Sequence, residues 1–292
     1  MTIEWANLTG ARPVQLPPGD LTLRGGDGGY LLLLHGLTGA PSEFAYVARY
    51  LHHRKRYTVW CPRLLNHGQP LGVLARTRAG ELWDFARRTL ETARREAAAA
   101  SLPLFVGGLS IGAVLSLLLA AEYPADVRCA IGLAPTLFYD GWNVPWTHRL
   151  IPAVAHTPLR HFTFFRESPP YGIRDEALRE RVGRAYGEIR LRNAETAQDA
   201  SYAHFPVSLF CEARHLIARC IERLKDVTSP LLLVQAVHDD MTGPRNSRYI
   251  YERVASRSKR IVWLEQSYHV VTIDLEREKV AAAMAAFCGD RA

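Results

Sequence analysis

Gly108-Leu109-Ser110-Ile111-Gly112 stands between a short β-prone run at 102–106 and a largely apolar helical run at 113–123. A strand that turns sharply into a helix holds the residue at the turn in a strained backbone and projects its side chain from the top of a sheet. A serine in that position is a candidate nucleophile. The glycines two before and two after it, with Ala113, leave room for strand and helix to cross closely. The helix start turns the Ile111 N–H toward any oxyanion formed beside Ser110. The same pentapeptide also fits a glycine-rich β-α turn whose serine merely caps a helix, so the flanking elements have to decide.

Tyr30-Leu31-Leu32-Leu33-Leu34 is wholly apolar and precedes His35-Gly36. Such a run reads as a strand buried on both faces, as in parallel sheets. Residues 21–24 and the Gly25-Gly26-Asp27-Gly28-Gly29 turn predict a hairpin feeding it. Pro41 opens a helix to about residue 54, with Phe44, Val47, Ala48 and Leu51 on one face. A strand at 57–61, an amphipathic helix at 81–100 and a strand at 128–133 complete the first half. Strands at 231–236 and 260–265 alternate with helices at 245–255 and 275–287 in the second half. This alternation predicts an α/β fold, an open and mostly parallel sheet flanked by helices.

Between 133 and 231 the alternation breaks for longer than any ordinary crossover. Helices are predicted there at 175–192 and 207–224, among many prolines and aromatics. The expected organisation is a core from 1–133 and 230–292 and an inserted lid, 134–229, over the carboxyl edge of the sheet. Trp142, Trp146, Phe162, Phe164 and Phe165 of that insertion are candidates to line a pocket over that edge.

Nucleophilic catalysis by serine needs a base, and the base needs an orienting carboxylate. Open α/β sheets carry such groups on loops just past strand ends. Val237-His238-Asp239-Asp240 follows the strand at 231–236, and Gln266-Ser267-Tyr268-His269 follows the strand at 260–265. Ser110, Asp239 and His269 thus fall on three post-strand loops, in the chain order of an α/β-hydrolase triad. Asp240 is the alternative carboxylate. The loop His35-Gly36-Leu37-Thr38-Gly39 offers the Leu37 N–H as a second oxyanion donor beside that of Ile111.

A formal net charge of +7 is carried almost wholly by arginine, interleaved with Asp and Glu on segments such as 174–192. No basic run with interleaved aromatics is present, so nucleic acid is not an expected partner. The charge leaves open an acidic acyl-carrier partner. No apolar stretch approaches a membrane span, and no signal peptide is visible. Five scattered cysteines without C-x-x-C spacing read as buried free thiols in the cytoplasm, with no disulfide or zinc site. No metal or organic cofactor is expected.

The segments around His35-Gly36-Leu37-Thr38-Gly39, Gly108-Leu109-Ser110-Ile111-Gly112, Val237-His238-Asp239-Asp240 and Gln266-Ser267-Tyr268-His269 resemble the bacterial carboxylesterase and monoacylglycerol lipase group of the α/β-hydrolase superfamily. The resemblance spans roughly 30–288, apart from the insertion, which matches only in position and size. It implies Ser110 as nucleophile, His269 as base, Asp239 as orienter, and Leu37 and Ile111 as oxyanion donors. The expected substrate is a small carboxylic ester, of short to medium acyl length or monoacylglycerol type, with the aromatics of the insertion placed to bury its acyl chain. Asn66-His67-Gly68 departs from that group's Gly-His-Gly at its first residue. The alternative functions are a thioesterase or acyltransferase using a carrier-bound acyl chain, and a noncatalytic ligand-binding protein of the same fold.

Overall fold

The computed structural model describes residues 19–144, 146, 148, 151, 157–161, 163–191 and 202–290. Seven strands form the main sheet: β1 (Leu21–Leu23), β2 (Gly29–Leu34), β3 (Tyr57–Cys61), β4 (Leu104–Leu109), β5 (Cys129–Leu133), β8 (Leu231–Ala236) and β9 (Lys259–Leu264). Their order is β1-β3-β2-β4-β5-β8-β9, and only the β1–β3 pair is antiparallel. The helices are α1 (Ala45–Lys55), α2 (Leu71–Leu74), α3 (Ala79–Ala99), α4 (Ile111–Glu122), α5 (Glu176–Leu191), α6 (Val207–Arg223), α7 (Arg245–Arg253) and α8 (Arg277–Gly289).

The unbroken leucines of β2 follow from this layering. Side chains of a strand alternate between faces. Leu31 and Leu33 pack in one cluster with Val47 and Leu51 of α1 and Met284 of α8. Leu32 and Leu34 pack in the other, with Leu82 and Leu90 of α3 and Val114 and Leu118 of α4. With both faces covered, no position of β2 can be polar without losing about 1.5–3 kcal/mol of burial per leucine.

The expected hairpin from β1 into β2 does not form. Both edges of β2 are taken by parallel neighbours, β3 and β4, so β1 crosses to pair antiparallel with the outer edge of β3, Leu21 opposite Cys61.

Inside the insertion, β6 (Phe164–Arg166) pairs antiparallel with β7 (His204–Pro206), with Phe165 opposite Phe205. Neither short strand was legible as one. α6 lies within the span 134–229, yet its Leu209, Ala213, Leu216 and Cys220 share one cluster with α4 and are built into the main core. The part of the insertion that faces the carboxyl edge comes from β6, β7 and α5. Trp142 and Trp146 are 60% and 72% exposed and Phe164 is 41% exposed. Of the five aromatics expected to line a pocket, Phe165 does so and Phe162 falls outside the described residues.

Candidate active site

Ser110 joins β4 to α4 with φ 58° and ψ −116°, a conformation that non-glycine residues rarely adopt. It persists because the surroundings over-determine it. A Cβ on Gly108 would run into the Gly112 backbone, and a Cβ on Gly112 would run into the carbonyl of Leu34. The two glycines are therefore a packing requirement of the elbow. The Ser110 hydroxyl is paired with Thr136 Oγ1 at 2.9 Å.

His269, on the loop after β9, is 5% exposed. Its Nδ1 lies 3.1 and 3.0 Å from the two carboxylate oxygens of Asp239, on the loop after β8. Asp239 is itself held in place. Its Oδ1 accepts the N–H groups of Met241 and Thr242 at 2.9 and 2.7 Å. Its Oδ2 accepts Gln235 Nε2 at 3.1 Å and Thr242 Oγ1 at 3.2 Å. Asp240 points elsewhere: it accepts the N–H of Gly172 at 3.2 Å and the backbone N–H of His269 at 3.3 Å. Of the two adjacent aspartates, the structure brings Asp239 to the imidazole ring, while Asp240 ties the insertion to the histidine loop.

Burial and neighbouring charge compete here. Burial, and then the neighbouring Asp239 charge, push the Asp240 carboxyl up to about 6. Burial by itself would hold the His269 imidazolium down. The charge and hydrogen bond of Asp239, with Asp240 and Glu43 behind, outweigh it, and the pKa rises above the ordinary histidine value. Because Nδ1 is committed to Asp239, the ring nitrogen left for proton transfer is Nε2.

The loop after β2 is fixed from below. His35, fully buried, accepts the Leu64 N–H on Nε2 at 2.9 Å, so its proton sits on Nδ1, which donates to Gly36 O at 2.9 Å. Gly39 N–H also donates to Gly36 O, at 3.2 Å. With that carbonyl tied back, the trans peptide aims the Leu37 N–H the opposite way. His67 Nε2 holds the Leu37 carbonyl at 2.6 Å. Asn66 adopts φ 64°, the left-handed region in which asparagine can stand in for glycine, and Nδ2 donates to Thr77 Oγ1 at 3.0 Å. The departure from Gly-His-Gly thus keeps the turn that a glycine would make.

Two adjoining chambers lie at the site, and Ser110 lines the inner one. The inner one, about 90 Å³, is lined by Leu37, Ser110, Tyr171, Tyr186 and His269 among others. The outer one, about 150 Å³, is mainly apolar, with Val144, Ile151, Phe165 and Phe210 in its walls. Tyr139, Glu167, Tyr171, Phe205 and Met241 belong to both.

Sequence reasoning missed Thr136, Thr242, Glu167 and Asp274. Asp274 is fully buried and accepts four backbone N–H groups, those of Arg174, Asp175, Tyr268 and Leu275. It brackets the start of α5 to the residue before His269. The spacing Asp239-x-x-Thr242 is a turn signal that could have been read. The other three have no local signature. Among the described residues, no group of three or more His, Cys, Asp or Glu is placed to hold a metal ion, and no helix is long and apolar enough to cross a membrane. All five cysteines are buried free thiols.

A family model described as serine aminopeptidase, S33 matches residues 28–276. A carboxylesterase of Bacillus subtilis (strain 168) is 27% identical over 263 residues, 90% of this chain and 93% of that protein. A thermostable monoacylglycerol lipase of Bacillus sp. (strain H-257) is 26% identical over 288 residues, covering 96% and 95%. In three dimensions, a soluble variant of monoglyceride lipase from Saccharomyces cerevisiae superposes with a TM-score of 0.77 at 16% identity, over 92% of this chain and 88% of that one. The architecture is the α/β-hydrolase fold.

Proposed function

The chain belongs to the serine aminopeptidase S33 family, and we propose that it is a serine esterase acting through an acyl-enzyme on Ser110. Its substrates on this reading are carboxylic esters of short to medium acyl length or of monoacylglycerol type. The observation that carries the reading is the buried pair of His269 Nδ1 and Asp239, 3.0 Å apart, at the wall of the chamber into which Ser110 opens. The relatives named carboxylesterase and monoacylglycerol lipase support the same chemistry.

As substrate enters, the Ser110 hydroxyl exchanges Thr136 for His269 Nε2; hydrogen bonds of this kind commonly tighten only in the complex. Ser110 Oγ bonds to the ester carbonyl carbon as its proton passes to Nε2. Asp239 stabilises the imidazolium without taking the proton. The carbonyl oxygen, now an oxyanion, is met by the N–H groups of Leu37 and Ile111. Collapse breaks the bond to the alcohol, which leaves with the proton from Nε2. Water then repeats the sequence on the acyl-enzyme, and the acid departs.

The apolar outer chamber suits the acyl chain, each fully buried methylene contributing about 0.8 kcal/mol. β6, β7 and α5 act as the lid. The five buried thiols fit a reducing compartment such as the cytoplasm.

The test is labelling with a fluorophosphonate followed by intact-mass measurement. Wild type should gain one adduct and hydrolyse p-nitrophenyl butyrate. A folded Ser110→Ala variant should do neither, with kcat lower by several orders of magnitude. Wild-type-like turnover by that variant would remove Ser110 from the mechanism.

A further inference from the structure

Glu167 directly follows β6, and its N–H donates to Ala203 O at 3.0 Å, continuing the pairing with β7. That bond fixes its backbone where the two chambers meet, and the residue lines both. Its carboxyl makes no hydrogen bond or ion pair with a described residue. The described lining of the inner chamber contains no lysine or arginine. The charged or titratable groups facing Glu167 there are Glu43, His269 and the hydroxyls of Tyr139, Tyr171 and Tyr186, with Asp240 behind. His148 and Arg166 line the outer chamber. Burial first, then Asp240 and Glu43, push the Glu167 carboxyl up to about 7 against the opposing effect of His269.

A carboxylate in such a place discriminates by charge. An anionic ligand is repelled, a neutral one gains nothing from the field, and a cation gains from the carboxylate and from the ring faces around it. The leaving alcohol takes its proton from His269, so the alcohol half lies on the His269 side. There Tyr171 and Tyr186, their rings 5.4 Å apart, form the wall with Glu167.

We propose that Glu167 is a specificity-determining residue that favours esters whose alcohol half carries an ammonium group. The proposal rests on the esterase reading and names its substrate class.

Choline butyrate and 3,3-dimethylbutyl butyrate are near-isosteres that differ in the positive charge of the alcohol and form the same butyryl-enzyme. The experiment measures kcat/KM for both at pH 8, in wild type and in Glu167→Gln. The wild-type preference for the choline ester should fall by about tenfold or more in the variant, the scale of a desolvated cation contact. Because the ratio is taken within each variant, loss of folded protein cancels. The wild-type ratio should also climb as pH rises through about 7 and be flatter in Glu167→Gln, a change that a purely structural role would not produce. A ratio unmoved by the substitution, or no choline butyrate hydrolysis by wild type, overturns the proposal alone. A wild type inert on p-nitrophenyl butyrate as well overturns the esterase reading with it.

Discussion

Asp239→Asn changes one atom of the site, and the hydrogen bonds around it dictate the outcome. Oδ1 accepts two backbone N–H groups, from Met241 and Thr242, which cannot reverse their polarity. An asparagine must therefore keep its oxygen there and place its NH2 where Oδ2 was. At that position it meets Thr242 Oγ1, which can accept, and His269 Nδ1. Facing a donor, Nδ1 gives up its proton and the imidazole shifts to the tautomer with hydrogen on Nε2. That ring cannot take the Ser110 proton. The Gln235 Nε2 bond, 3.1 Å in the native site, is lost as well. The expected fall in kcat is about 10³ to 10⁴, roughly 4–5.5 kcal/mol of transition-state stabilisation. Stopped-flow or steady-state hydrolysis of p-nitrophenyl butyrate reads it, with circular dichroism checking the fold. Asp240→Asn is the control: its bonds go to backbone N–H groups of Gly172 and His269, so it should disturb loop position and cost far less. Equal, mild losses in the two variants would refute the tautomer argument.

As the proposed base, His269 would act only when neutral, and its pKa is raised, so kcat/KM should drop as pH falls through a value above the ordinary 6.5. Asp240→Asn removes one of the charges that raise it and should move that break to lower pH; an unmoved break in a pH–rate profile contradicts this. Asp274→Asn must leave two of four backbone N–H groups facing an amide NH2 whichever way it turns, since each oxygen accepts two. Losing two bonds to a buried carboxylate costs about 3–6 kcal/mol, which urea unfolding should register, whereas a change below about 1 kcal/mol would mean the bracket is dispensable.

The local sequence carried the sheet and the three candidate groups because each leaves a short-range trace. Four consecutive leucines in β2 state that both faces are covered, and a serine between glycines at a strand-to-helix junction states a constrained elbow. Asp239 and His269 were found by standing just past strands that periodicity could mark. Position after the strand favours Asp239 over Asp240 but does not fix the carboxylate that reaches the ring. Asp239 and Asp240 are chemically identical and adjacent, and the fold-back of the chain at Thr242 decides which one meets the ring. Thr136 against Ser110, Asp274 against Arg174 and Asp175, and Glu167 at the chamber wall likewise depend on where distant loops cross. The edge that β1 joins depends on β2 having both its edges already filled. Periodicity in a sequence records which face of an element is buried, a property of a few neighbouring residues. The partner on that face, and the direction of a side chain in a loop, come from contacts between segments tens to more than a hundred residues apart, and those exist only once the sheet has closed its order and the insertion has packed over it.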